Sequence, residues 1–213
     1  MLKQHKLALI CSSAVIVLPL LAVLLFWNKL PQTIPIHWNA AGQVDGYGSK
    51  TLAFLLMPAI LLAVQWLCVL VTTLDRRNVG QNRKTLTLVL WIIPVINLVT
   101  QALMLSAAFG YSPDVTTWFC VLLGVMFVLI GNYLPKCKQN RFLGIKIKWT
   151  LQSEENWDAT HRFGGKVWVI GGIGFFLCLL LPTHLRFLPV IIMIALLVVL
   201  PFVYSYRYHK KHP

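Results

Sequence analysis

Gly131–Lys166 reads GNYLPKCKQNRFLGIKIKWTLQSEENWDATHRFGGK and is the longest interval of this 213-residue chain without an apolar run of membrane-spanning length. Seven of the nineteen Lys/Arg and three of the six Asp/Glu fall inside it, and a long apolar run enters it and another leaves it. Its flanks therefore decide the fold class. The whole chain is 58% hydrophobic and 12% charged, with a mean hydropathy of +0.73, whereas soluble domains carry about 25% charged residues. No interval between apolar runs leaves room for a separate soluble core.

Working outward, six spans of about twenty residues suit a hydrocarbon core roughly 30 Å thick. They run over Leu7–Trp27, Thr51–Thr73, Thr85–Phe109, Val115–Leu134, about Gly165–Leu181 and Phe187–Tyr206. The first is read as a retained span: it is longer than a signal-peptide core, and no small-residue cleavage site follows Phe26-Trp27-Asn28. The chain shows no internal repeat of the kind that marks inverted-repeat transporters. The expectation is an all-α integral membrane protein forming a single membrane domain over residues 1–213.

Alternate loops lie on one face, so the bases give an orientation. Lys3, Lys6, Arg76, Arg77, Arg83, Lys84, the seven bases of Gly131–Lys166, Arg207, Lys210 and Lys211 share one side, and Lys29, Lys50 and Arg186 the other. Sixteen against three predicts both termini and the long segment in the cytoplasm of a plasma membrane. The same bias accounts for most of the +13 net charge, so nucleic-acid binding loses its support.

Residues 28–50 form the sizeable loop on the opposite face. Proline fixes extended backbone and Asp45-Gly46 supplies a turn, so an ordered module is expected, with a short strand through Ile34-Pro35-Ile36-His37-Trp38. His37, Trp38, Asn39, Asp45 and Tyr47 are its candidate ligand-facing residues. Within the spans, Gln65, Asn97 and Gln101 are the conspicuous polar groups and read as helix-to-helix hydrogen bonders. No Asp, Glu, Lys or Arg lies mid-span, which removes the usual coupling group of an ion-driven carrier.

In the long segment, Ser153 is the expected helix N-cap with Glu154 and Glu155 in the first turn. Glu154, Asp158 and His161 are spaced to share a helix face, yet the spacing matches no metal motif. The alternation from Arg141 to Trp149 suits a headgroup-level stretch anchored by Trp149. The five cysteines form no C-x-x-C pair. No cofactor, metal or catalytic set is expected, and no nucleophile-elbow or phosphate-loop signature is present.

Gly131–Lys166 resembles the hallmark of the SdpI family of bacterial immunity membrane proteins, approximately G-N-x-x-P-x-x-x-x-N-x-x-x-G-I-R-T-P-W-T-L-x-x-E-x-x-W-x-x-T-H-x-x-G-G. Matches fall at Gly131, Asn132, Pro135, Asn140, Gly144, Ile145, Trp149, Thr150, Leu151, Glu154 or Glu155, Trp157, Thr160, His161, Gly164 and Gly165. The loop LPQTIPIHWNAAGQVDGYGSK is similar to a module that precedes this segment in many members. Where the pattern has Arg-Thr-Pro, this chain has Lys146-Ile147-Lys148, which keeps the first charge and removes a proline.

The resemblance implies immunity to a secreted, membrane-active killing peptide, without enzymatic chemistry. It also implies a sensing role, in which the toxin-bound protein holds a small autorepressor at the membrane. The partners would then be an Sdp-like toxin peptide, that repressor and membrane lipids, with no direct nucleic acid. His37, Trp38, Asn39, Asp45 and Tyr47 would face the toxin. Asn140, Gly144, Trp149, Thr150, Glu154, Glu155, Trp157, His161 and Arg162 would form a cytoplasmic docking platform. The alternatives are a membrane hydrolase using Glu154, Glu155 and His161, or a transporter of the peptide.

Overall fold

The protein is described by a computed structural model over residues 2–74 and 83–212. Of the charged loop read between the second and third spans, residues 75–82 lie outside the described residues, and Arg83 and Lys84 begin the third helix. Among the described residues, six helical stretches are long and apolar enough to cross a membrane: Lys6–Leu25, Leu52–Val71, Thr85–Ala108, Val115–Lys136, Glu154–Leu180 and Thr183–Lys211. The fold is that of an all-α membrane protein carrying one small hairpin.

In chain order the elements are α1 (Leu2–Leu25), β1 (Thr33–Trp38), β2 (Val44–Ser49), α2 (Met57–Leu74), α3 (Arg83–Ala108), α4 (Val115–Tyr133), α5 (Lys148–Gln152), α6 (Glu154–Leu177) and α7 (Phe187–Lys211). A π-helical turn, Leu52–Leu56, leads from the hairpin into α2. The chain forms two compact units. Met1–Val71 with Val89–Trp118 makes the first, and Thr72–Leu88 with Phe119–Pro213 the second.

In the first unit, Val23, Leu30, Ile34, Ala53, Phe54 and Met104 form the buried cluster, with Trp27, Ile36 and Trp38 packed on it. The hairpin is thus seated on the helices through Ile34. Strands β1 and β2 pair antiparallel, Thr33 opposite Ser49 and Trp38 opposite Val44, with irregular pairing on both sides of His37. The turn does not fall at Asp45-Gly46, which lie inside β2. Asn39 makes it instead: its Oδ1 accepts from the amides of Ala41 at 2.9 Å and Gln43 at 3.0 Å, an Asx turn that outcompetes the Asp-Gly signal. Gly46 has another purpose, because a Cβ there would lie 2.8 Å from the His37 Cβ. Lys50 fastens the module to the end of α1, donating to the Trp27 carbonyl at 3.2 Å and lying 4.8 Å from that indole ring.

The second unit is built on glycine contacts between helices. A Cβ on Gly131 of α4 would lie 2.8 Å from the Gly165 carbonyl oxygen, and one on Gly165 of α6 would lie 2.7 Å from that of Gly131. Only hydrogen at both positions permits this approach. Cys120, Phe175, Cys178, Val190 and Leu197 complete the buried cluster, and Trp168 Nε1 donates to the Leu197 carbonyl at 2.9 Å, joining α6 to α7.

Candidate functional site

The segment between α4 and α6 is a tightly bonded structure rather than an interfacial tether. Asn140 organises its first half. Its Oδ1 accepts from the amides of Phe142 at 2.8 Å and Leu143 at 2.6 Å, while its Nδ2 donates to the carbonyls of Lys138 at 2.8 Å and Leu143 at 3.1 Å. One side chain thereby replaces the backbone pairing that this loop lacks. The chain then reverses at Gly144, with φ of +102°. A Cβ there would collide with His161 Nε2 and come within 3.0 Å of the Trp157 ring.

Thr150 holds the second half. Its hydroxyl donates toward the Ile145 carbonyl at 2.8 Å and the Ile147 carbonyl at 3.0 Å, and accepts from the Ile147 amide at 3.1 Å. Ile147, at φ −123° and ψ 164°, is the extended cap of α5, and Lys148 is the first helical residue. The expected proline would have stood at Lys148. Proline favours that position because its missing N–H has no helical partner there, and it restricts its predecessor to extended backbone. Ile147 reaches that conformation without proline, through the Thr150 hydroxyl, so Lys146-Ile147-Lys148 leaves the turn intact.

Trp157 and His161 are the buried centre, 0% and 1% exposed, with rings stacked at 4.0 Å. Trp157 Nε1 donates to the Cys137 carbonyl at 2.7 Å. The Ile145 amide donates to His161 Nε2 at 3.0 Å, so that nitrogen carries the lone pair. The ring proton accordingly sits on Nδ1, 2.8 Å from the Trp157 carbonyl. Both imidazole nitrogens are committed. Burial also acts on Cys137, whose thiol is pushed up to about 11, opposed in part by the hydrogen bond from Asn140.

A second buried knot was not legible as a site. Asn156 Nδ2 donates to the Ser205 carbonyl at 3.1 Å, and its Oδ1 accepts from Ser205 Oγ at 2.7 Å and Thr160 Oγ1 at 2.9 Å. It fastens α6 to α7, and its signal in sequence was only a polar residue on the apolar face of each helix. Trp149 packs on the same helix, 5.3 Å from Phe202, 5.0 Å from Tyr206 and 6.1 Å from His209.

The nine platform candidates thus divide. Asn140, Thr150, Trp157 and His161 are buried, their polar atoms bonded within the segment, and Gly144 and Trp149 shape it. These six build the structure, and the buried four offer no docking surface. Glu154, Glu155 and Arg162 are exposed, as are Asp158 and Lys166. The spacing Glu154, Asp158, Arg162, Lys166 makes a charged row of four-residue steps along α6, opposite its buried face. Ser153 caps the helix as expected, accepting from the Asn156 amide at 3.1 Å. His161 shares the α6 side of Glu154 and Asp158 as the spacing predicts, but it turns inward and is buried while they are exposed. Of Glu154, Glu155 and His161, the two carboxylates are exposed and the imidazole is bonded to the Ile145 amide and the Trp157 carbonyl.

On the hairpin, His37, Asn39, Asp45 and Tyr47 are exposed and Trp38 is half-buried. His37 Nδ1 lies 2.5 Å from Asp45 Oδ1 across the strands, and Tyr47 stands opposite Pro35. Four of the five candidates thus share an open surface, while Trp38 belongs to the packing beneath it.

Residues 136–205 match the sequence profile of the SdpI/YfhL protein family, and residues 14–62 match that of a domain of unknown function, DUF1648. The chain is 25% identical over 202 residues to Immunity protein SdpI of Bacillus subtilis (strain 168), covering 95% of this chain and 96% of that protein. No solved structure matches it. With its six apolar helices and the bonded segment that begins the matched region, the chain is similar to the SdpI/YfhL family over residues 136–205 and to Immunity protein SdpI along most of its length.

Proposed function

We propose that this protein is an immunity protein that protects a bacterium from a secreted, membrane-active killing peptide. The observation that carries this reading is the end-to-end similarity to Immunity protein SdpI, over 95% of this chain. The charge bias of sixteen bases to three supports placing both termini and the α4–α6 segment in the cytoplasm. The hairpin then faces outward, and His37, Asn39, Asp45 and Tyr47 meet the toxin.

The output surface is the exposed row of α6. Glu154, Glu155, Asp158 and Arg162 stand on a helix whose opposite face is pinned by Trp157, His161 and Asn156, and they present charge to a small repressor protein. No residue acts as a catalyst in this scheme. Protection arises from occupation of the peptide, and signalling from what the occupied protein holds at the membrane.

The test is expression in sensitive Gram-positive cells challenged with an Sdp-like peptide. Cells carrying the protein retain membrane potential, and equal depolarisation with and without it would sink the proposal. The paired variants Asp45→Ala/Tyr47→Ala lose protection, while Glu154→Ala/Arg162→Ala keep protection and lose induction of a repressor-controlled reporter.

A further inference from the structure

Three amides inside the first unit have a polarity that helix packing does not use up. Gln65, Asn97 and Gln101 are 2%, 0% and 3% exposed. Each spends its NH₂ group on a neighbour: Gln65 on Ser12 Oγ at 2.8 Å, Asn97 on the Ile16 carbonyl at 3.0 Å, and Gln101 on the Ala53 carbonyl at 2.9 Å. These orientations are forced. Two of the partners are carbonyls, which only accept, and Ser12 spends its own hydroxyl proton on the Leu9 carbonyl at 3.1 Å.

The other half of each amide is therefore fixed as an acceptor. Gln65 Oε1, Asn97 Oδ1 and Gln101 Oε1 are all buried without a hydrogen-bond partner among the described residues. Interiors pair such atoms, and an ordered water is the usual partner when no protein group reaches them. The three also form a row rather than scattered defects. Asn97 and Gln101 are one turn apart on α3, the contacts Ser12 and Ile16 are one turn apart on α1, and Ala53 lies in the π-helical turn below the hairpin.

The chemistry selects the occupant. A row presenting only carbonyl oxygens repels anions and offers nothing to a ligand that only accepts. The spans of this unit contain no Asp or Glu, so a bound cation would have no compensating charge. We propose that Gln65, Asn97 and Gln101 form an internal hydration site, in which ordered water donates to their three carbonyl oxygens at bilayer depth. The first unit then has a wet seam among α1, α2 and α3, independent of what the hairpin binds.

The experiment is proton-detected solid-state NMR on the protein in phosphatidylglycerol-containing bilayers, with Asn and Gln side chains labelled with nitrogen-15 and no peptide added. Polarisation transfer from water to each side-chain NH₂ is measured. Asn156 serves as a dry reference, because it is 1% exposed and both ends of its amide are bonded to protein. Transfer to Gln65, Asn97 and Gln101 at least about threefold above Asn156 is expected. Transfer equal to that of Asn156 at all three overturns the proposal. Gln65→Leu, Asn97→Leu and Gln101→Leu assign the signals by loss, and any two that fold assign the third by elimination.

Discussion

Gly144→Ala perturbs the α4–α6 segment by a single methyl group, and its effect has two separable parts. At φ of +102° any residue with a Cβ is strained, at a cost of about 1–3 kcal/mol. The methyl also enters the space of His161 Nε2 and lies 3.0 Å from one Trp157 ring atom and 3.1 Å from another. Neither ring can yield without losing a contact, since the pair is stacked and buried. The imidazole must move off the Ile145 amide, leaving a partly buried donor unsatisfied for about another 1–3 kcal/mol. Together these give about 4 kcal/mol, or a fall of roughly 10 °C in Tm for a chain of this size. Gly110→Ala is the internal reference. Its φ is +85°, and nothing lies within 4 Å of the added Cβ, so it reports the backbone strain alone, about 1–2 kcal/mol and roughly 5 °C. Thermal unfolding of the purified variants, followed by fluorescence-detected size exclusion, compares the two. A Gly144→Ala shift no larger than that of Gly110→Ala would refute the claim that His161 and Trp157 are locked against this glycine.

The other expectations are narrower. Thr150→Val keeps the shape but removes the hydroxyl that serves Ile145 and Ile147, costing about 1–3 kcal/mol; limited trypsin digestion should then cut faster at Arg141, Lys146 and Lys148, and an unchanged rate would count against the hydroxyl as the organiser. Cys137 should resist alkylation at pH 8, because burial holds its thiol up at about 11. The sign follows: a raised thiol pKa favours the folded state fully below the ordinary value, and that contribution is lost as pH climbs toward about 11, so labelling and instability should appear together in that window. Gly165→Val places bulk where a Cβ would already lie 2.7 Å from the Gly131 carbonyl, and loss of the folded peak in size exclusion is expected. Asn156→Leu strips three hydrogen bonds between and within α6 and α7, for which a fall in Tm of roughly 10 °C is expected.

What could be read from the chain depended on the range of the interaction. The spans, the Ser153 cap and a strand through Ile34–Trp38 rest on local composition and local backbone chemistry, and they stand in the structure. The hairpin turn was misplaced because Asp45-Gly46 is a strong signal taken alone, and only the fold reveals that Gly46 must clear the His37 side chain. The platform residues were harder. Asn140, Thr150, Trp157 and His161 are polar or amphipathic, and in sequence such residues look the same whether they face a partner or one another. Their pairing spans up to twenty positions, as from Trp157 to Cys137, and no periodicity encodes it. Exposure then separates Glu154, Glu155 and Arg162 from the rest, a distinction that spacing along a helix cannot make without knowing which face is covered.

The meeting of Gly131 and Gly165 has a mechanical consequence. Most helix contacts are cushioned, since a side chain between two backbones can change rotamer and absorb a small displacement. Here main chain touches main chain, each glycine facing the other's carbonyl oxygen, and there is no rotamer to change. Any displacement that presses α4 toward α6 therefore meets main chain at once, and the separation of the two helices at this level is fixed by backbone rather than by adjustable side chains.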